Sequence, residues 1–134
     1  MSWDVYAVRG AHGRSLEDVP TGRELPVIGT TQDVVDEVRK AAPDVDATDP
    51  TWLTLTGDDH EIQMSLGKDV HVRDITFFIH GGGPAAVAVV LDVCRALRLN
   101  AYDTETGERL TASSTPPGPP PVDEPQVKRR WWRR

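Results

Sequence analysis

An α+β two-layer sandwich, with two helices on one face of a mostly antiparallel sheet, is the fold class this sequence predicts. Three observations predict it. Residues 3–8, 51–56 and 60–66 alternate apolar with polar side chains, the period-two pattern of strands with one buried face. Residues 30–42 and 84–99 instead space their apolar side chains three and four apart, as helices do. The elements follow one another as β-α-β-β-β-α-β within 134 residues, the length of one domain.

The first strand, WDVYAV, puts Trp3, Val5 and Ala7 on one face and Asp4, Tyr6 and Val8 on the other. Residues 9–29 then run polar, with Gly10, Gly13, Pro20, Gly22 and Pro26 as breakers. A connector of that length is expected to cross a sheet edge, pinned by Leu16, Val19, Leu25 and Ile28. Thr30 or Thr31 caps the first helix, and Asp33 suits its positive first turn. Val34, Val35, Val38, Ala41 and Ala42 form its apolar stripe, and Pro43 ends it. Residues 44–50 (DVDATDP) read as an acidic loop. The next two strands make a hairpin about Gly57-Asp58-Asp59, with Leu53, Leu55, Ile62, Met64 and Leu66 inward and Trp52 outward.

After a connector at 67–73, Ile75, Phe77 and Ile79 give the fourth strand its buried face, with Thr76, Phe78 and His80 opposite. Three glycines turn the chain into the second helix. Pro84 suits that helix's first turn, and Val87, Val90, Leu91, Cys94 and Leu97 make its stripe. Arg95 and Arg98 favour its C-terminus, and Asn100 is the expected C-cap residue. A short last strand at 101–103 leads to a turn at Thr106-Gly107. A three-strand meander flanked by two helical crossovers is a ferredoxin-like variant. It leaves the second sheet face open, and Trp52, Phe78 and His80 on that face are a candidate partner surface.

This domain spans residues 1–110. Residues 111–134 are proline-rich, cannot build a core, and read as a disordered tail ending in KRRWWRR. Charge divides along the same line. The domain carries ten Lys/Arg and nineteen Asp/Glu, a net −9, and the tail carries +3. An acidic body repels phosphate backbones, which argues against nucleic-acid binding by the folded part and favours a basic partner. One cysteine, Cys94, excludes an internal disulfide and a multi-cysteine zinc site, and suits a reducing cytoplasm. No basic-then-apolar leader opens the sequence, and the longest apolar run is too short to span a bilayer.

Several motifs invite chemistry. His80-Gly81-Gly82-Gly83 after a buried strand is similar to the oxyanion-hole loop of lipase-like α/β-hydrolases. No serine here lies in the Gly-x-Ser-x-Gly elbow that must accompany it, so the glycines read first as a steric hinge. Backbone N–H groups at the same turn would suit an anion, but no Gly-Lys-Ser/Thr follows. Asp44, Asp46, Asp49, Asp58, Asp59 and Glu61 lack calcium-loop spacing. His12, His60, His71 and His80 form no helix-spaced ligand pair, and Cys94 on the apolar stripe reads as a buried thiol. Neither a catalytic residue, a metal nor a cofactor is assigned. The tail residues Lys128, Arg129, Arg130, Trp131, Trp132, Arg133 and Arg134 suit an anionic membrane, a nucleic acid, an acidic protein groove or the acidic body itself.

Ser2-Trp3-Asp4, Asp49-Pro50-Thr51-Trp52, Leu66-Gly67, Val72-Arg73-Asp74-Ile75, Gly81-Gly82 and Ala101-Tyr102-Asp103 carry a resemblance. Together they look like a family of small uncharacterised bacterial α+β proteins that begin with the same tripeptide. The resemblance covers most of residues 1–110, spares the tail and carries over no activity. By analogy of size and fold it implies an immunity-like or partner-binding module. The expectation is therefore a non-enzymatic, acidic, cytoplasmic interaction module with a basic protein partner and no set oligomeric state. The alternatives are a small hydrolase or anion-binding domain at the His-Gly-Gly-Gly turn, or membrane or nucleic-acid contact through the tail.

Overall fold

A computed structural model describes residues 2–10, 16–19, 25–81 and 83–114. His12, Gly82 and the whole basic tryptophan motif of the tail lie outside the described residues. The elements run β1 (Ser2–Val8), β2 (Gly29–Thr30), α1 (Thr31–Ala41), β3 (Asp46–Asp49), β4 (Trp52–Thr56), β5 (His60–Ser65), β6 (His71–Val72), β7 (Asp74–Gly81), α2 (Pro84–Leu97) and β8 (Asn100–Asp103). Six strands form one sheet in the order β3-β4-β5-β7-β1-β8, and β2 pairs with β6 in a separate two-stranded ribbon. Every described pairing is antiparallel. The α+β class and the mostly antiparallel sheet with two helices are thus as expected.

The meander differs. It holds four strands of the main sheet, because part of the acidic stretch read as a loop forms the edge strand β3. Its residues pair through an irregular register against Trp52 and Thr54, and only Ala47 is half-buried. Four residues with three exposed side chains give no alternation to read, so pairing with β4 decides the conformation.

β1 sits between β7 and β8. Its partners run from Ser2 opposite His80 to Val8 opposite Asp74 on one side, and from Val5 opposite Asp103 to Val8 opposite Asn100 on the other. Trp3, Val5 and Ala7 therefore join Leu53, Leu55, Ile62, Met64, Ile75, Phe77 and Ile79 in one apolar floor. Both helices cover it, α1 with Val34, Val35 and Val38, and α2 with Ala86, Val87, Val90, Val93, Cys94 and Leu97.

Local chemistry fixes the helix ends. The Thr30 hydroxyl accepts from the Asp33 amide, and Asp33 Oδ2 accepts from the Thr30 amide, each at 3.1 Å. This reciprocal capping box contributes about 1 kcal/mol. Helix α2 stops at Leu97, two residues short of the expected end. Arg98 takes the left-handed C-cap conformation, and Asn100 belongs to β8 rather than to the cap. Arg9 donates from Nε and Nη2 to the Leu97 carbonyl, at 3.2 and 2.7 Å, so a distant arginine closes the helix end. The buried arc of α2 is also wider than the expected stripe. Ala86 and Val93 are buried and Leu91 only partly, because α2 packs on α1 as well as on the sheet.

The described parts of the long connector, at Leu16–Val19 and Leu25, lie against the sheet face opposite the helices. Val19, Leu25, Val8 and Tyr102 form a second small core there, flanked by Leu16 and Tyr6. Leu16 N donates to Gly107 O at 2.7 Å, Arg73 Nη1 to Leu25 O at 2.6 Å and Ile28 N to Val72 O at 2.7 Å. Ile28 turns back into the main core.

Gly81 and Gly67 both have left-handed backbones, with φ of 73° and 82°. A Cβ at Gly81 would stand 2.7 Å from the Asp59 carbonyl oxygen, while one at Gly67 would meet nothing within 4 Å. Gly67→Ala should therefore cost about 1 kcal/mol from the backbone alone, and Gly81→Ala at least about 2 kcal/mol. Urea unfolding of the two variants measures the difference, and equal losses would remove the hairpin contact as a constraint.

Candidate functional site

The half of the open sheet face that the connector leaves bare holds the expected aromatic residues. Trp52 on β4 and Phe78 on β7 stack with ring centroids 5.5 Å apart and planes 20° from parallel. Two strand spacings of about 4.8 Å separate β4 from β7. The rings meet by reaching over β5, where the residue opposite Trp52 is the small Ser65. Trp52 remains 39% exposed, so the stack is presented to solvent rather than buried. His80, two residues beyond Phe78, shares that face and is exposed, opposite Glu61 on β5. Trp52, Phe78 and His80 thus lie on one surface. Lys128, Arg129, Arg130, Trp131, Trp132, Arg133 and Arg134 fall outside the described residues.

The surroundings are acidic. Residues paired across an antiparallel ladder share a face. Asp4 on β1 is opposite Phe78, Asp46 is opposite Thr54, and Asp49 is opposite Trp52. Glu61 shares the face through its pairing with His80. Asp46 Oδ1 accepts from the Thr48 amide and hydroxyl at 3.0 and 2.7 Å. Asp49 Oδ1 accepts from the Thr51 amide and hydroxyl at 2.9 and 2.7 Å. For Asp46 the amide bond is the larger cause, and for Asp49 the hydroxyl bond; both carboxyls are held below the usual carboxylate range. Both side chains therefore keep their charge to lower pH than an ordinary aspartate. Asp4 and Glu61 were legible as outward positions of their strands. Asp46 and Asp49 were not, because their segment carries no strand pattern.

Tyr6 marks the boundary with the covered half. Its hydroxyl donates to Asp74 Oδ2 at 2.7 Å. Burial first, then that bond and the neighbouring charge, push the phenol well above its ordinary value. It stays protonated and acts as a structural donor.

The His-Gly-Gly-Gly turn leads from β7 into the first turn of α2. Pro84 supplies no N–H, and the Ala86 and Val87 amides donate to the Gly83 carbonyl at 3.0 and 3.2 Å. These are the bonds that start the helix from its Gly83 N-cap. Gly81 is required sterically, since the β4–β5 turn presses its carbonyl against it. The neighbouring His60 has a side chain only 8% exposed, its Nδ1 donates to Asp59 Oδ1 at 3.0 Å, and its ring packs against Gly57. The pairing with Asp59 fixes the hairpin tip.

Among the described residues, no three His, Cys, Asp or Glu side chains converge as a metal site would require. Three surface clefts, of about 460, 290 and 170 Å³, lie at the 66–74 connector, between Arg9 and α1, and between α2 and β8. His80, Gly81, Gly83 and Pro84 line none of the three. No helix among the described residues is long and apolar enough to cross a membrane.

Two measurements check this layout. Trp52→Ala should cost about 1 kcal/mol, the size of an exposed aromatic stack. Phe77→Ala, fully buried one residue before the stack partner, should cost about 3–5 kcal/mol. Thermal unfolding of both variants separates the presented face from the core. Burial pushes the Cys94 thiol from 9.0 up to about 12. It should resist alkylation at pH 8.5 (roughly where a free thiol reacts readily) until denaturant is added. Below pH 9.0 both states hold the proton; above it only the unfolded chain loses it, so stability falls as pH rises toward about 12. A pH series of unfolding curves on wild type and Cys94→Ala measures that alkaline loss.

Comparison with protein-family models, with curated proteins and with solved structures finds no match in any of the three, so the reading of function rests on the chemistry of this face.

Proposed function

We propose that this chain is a non-enzymatic protein-interaction module of the cytoplasm, immunity-like in manner, whose open sheet face binds a basic protein. One observation carries the reading: a solvent-presented Trp52–Phe78 stack set among Asp4, Asp46, Asp49 and Glu61. Large aromatic rings supply contact area at low entropic cost and are enriched at binding hot spots. An arginine laid over the exposed indole would gain about 0.5–2 kcal/mol of cation–π attraction. The carboxylates around it would raise the association rate of a basic partner and reject acidic ones. A body of net −9 extends that field beyond the contact itself. The scaffold fits such a role, because a flat face on a six-stranded sheet holds its side chains in fixed register. We read its finer topology as a ferredoxin-like unit of β1, α1, β5, β7, α2 and β8, extended at one edge by β3 and β4. The strand order supports that reading.

The test is comparative capture from native lysate at low salt, using wild type and Trp52→Ala as bait. Wild type should recover a basic protein that Trp52→Ala does not, and that high salt releases. Recovery of the same proteins by both baits, or of none by either, would overturn the proposal.

A further inference from the structure

We propose that residues 128–134 of this same chain (KRRWWRR) dock in cis on the Trp52–Phe78 face and compete there with the basic partner. This rests on the reading of that face as a binding surface. Three features of the chain support it.

The first is uncompensated charge. Lys40–Glu37 and Arg95–Asp92 pair along the helices, and His60–Asp59 at the hairpin tip. On the open face three of the carboxylates have neutral donors, Thr48 for Asp46, Thr51 for Asp49 and Gln63 for Glu61. Their negative charge is left for a cation from elsewhere. Residues 128–134 bring five cationic side chains and no acidic one.

The second is matching chemistry. The face presents an indole stacked on a phenyl ring, and the segment carries two adjacent tryptophans between its basic residues. Aromatic pairs add about 0.5–1.5 kcal/mol beyond their area burial. Arginines flanking the tryptophans would fall beside the carboxylates that surround Trp52.

The third is reach. The described chain ends at Ser114, just after Leu110 bonds to Ala101 on β8. From β8 across to β4 is four strand spacings, roughly 19 Å. The intervening residues 115–127 include six prolines. Extended as polyproline they would span roughly 40 Å, about twice what is needed. A tether of this kind gives the segment an effective concentration on the order of mM. A contact too weak to hold between separate molecules would then stay closed, and an incoming partner would have to displace it.

The experiment uses the full chain and follows indole N–H resonances by NMR. Trp131→Ala with Trp132→Ala, and separately Lys128→Glu with Arg129→Glu and Arg130→Glu, should each shift the Trp52 indole and the open-face amides of β4, β5 and β7. Trp3, on the helix face, should not move. High salt should produce the same shift in wild type, and dilution should leave it unchanged. A Trp52 signal identical in wild type and tail variants overturns the proposal, as does a contact that dissolves on dilution, which would belong to a second copy. Liposome binding by the tail with no effect on Trp52 overturns it as well. None of these readouts needs a partner, so they fail separately from the capture experiment. Where a partner is captured, the charge-reversed tail variant should bind it several-fold more tightly, and equal binding overturns the competition.

Discussion

Strand β1 lies between β7 and β8, and the rest of the sheet is ordered around that insertion. Helix α2 leaves β7 and returns to β8, crossing over β1, which pairs with both. Seven consecutive residues of β1 are in register with β7. Their odd-numbered side chains complete the floor on which both helices pack. The register is strongly specified, because a one-residue slip would turn Asp4 and Tyr6 into the helix interface and expose Trp3 and Val5. The even-numbered side chains matter equally. Val8 and Tyr6 anchor the second, smaller core that holds the long connector on the opposite face.

That connector divides the open face into two unlike halves. Over β1 and β8 it buries Tyr102 and Val8 completely and seals the Tyr6–Asp74 hydrogen bond at the boundary. Over β4, β5 and β7 nothing among the described residues covers the sheet, and there the Trp52–Phe78 stack meets solvent. An exposed sheet face that carries large rings among polar and charged side chains is the kind of surface partners use. The two proposals share that premise and differ in the occupant. One names another protein, the other the chain's own basic segment, and a competition between them would make the tail a regulator of the face.

The glycine turn before α2 carries a packing constraint that only the tertiary structure shows. Gly81 is needed because the Asp59 carbonyl presses against it, which is a packing constraint between two turns. The Ala86 and Val87 amides close the first turn of α2 on the Gly83 carbonyl. His60, one turn away in space, is held by Asp59 and Gly57 rather than offered to a substrate.

Alternation and helical spacing in the sequence determined where most strands and both helices lie and which of their faces are buried. They do so because burial is periodic along each element and needs no knowledge of neighbours. The outward placement of Trp52, Phe78 and His80 followed from the same parity. Only the tertiary structure decided that β3 is a strand, since an edge segment such as Asp46–Asp49 takes its conformation from its partner and carries no pattern of its own. It also decided that α2 ends at Leu97, where Arg9 from a distant strand meets the last carbonyl. The stacking of Trp52 on Phe78 and its acidic setting belong to the same class. Residues 26 positions apart meet across a third strand, and their encounter depends on sheet order, which no local pattern encodes.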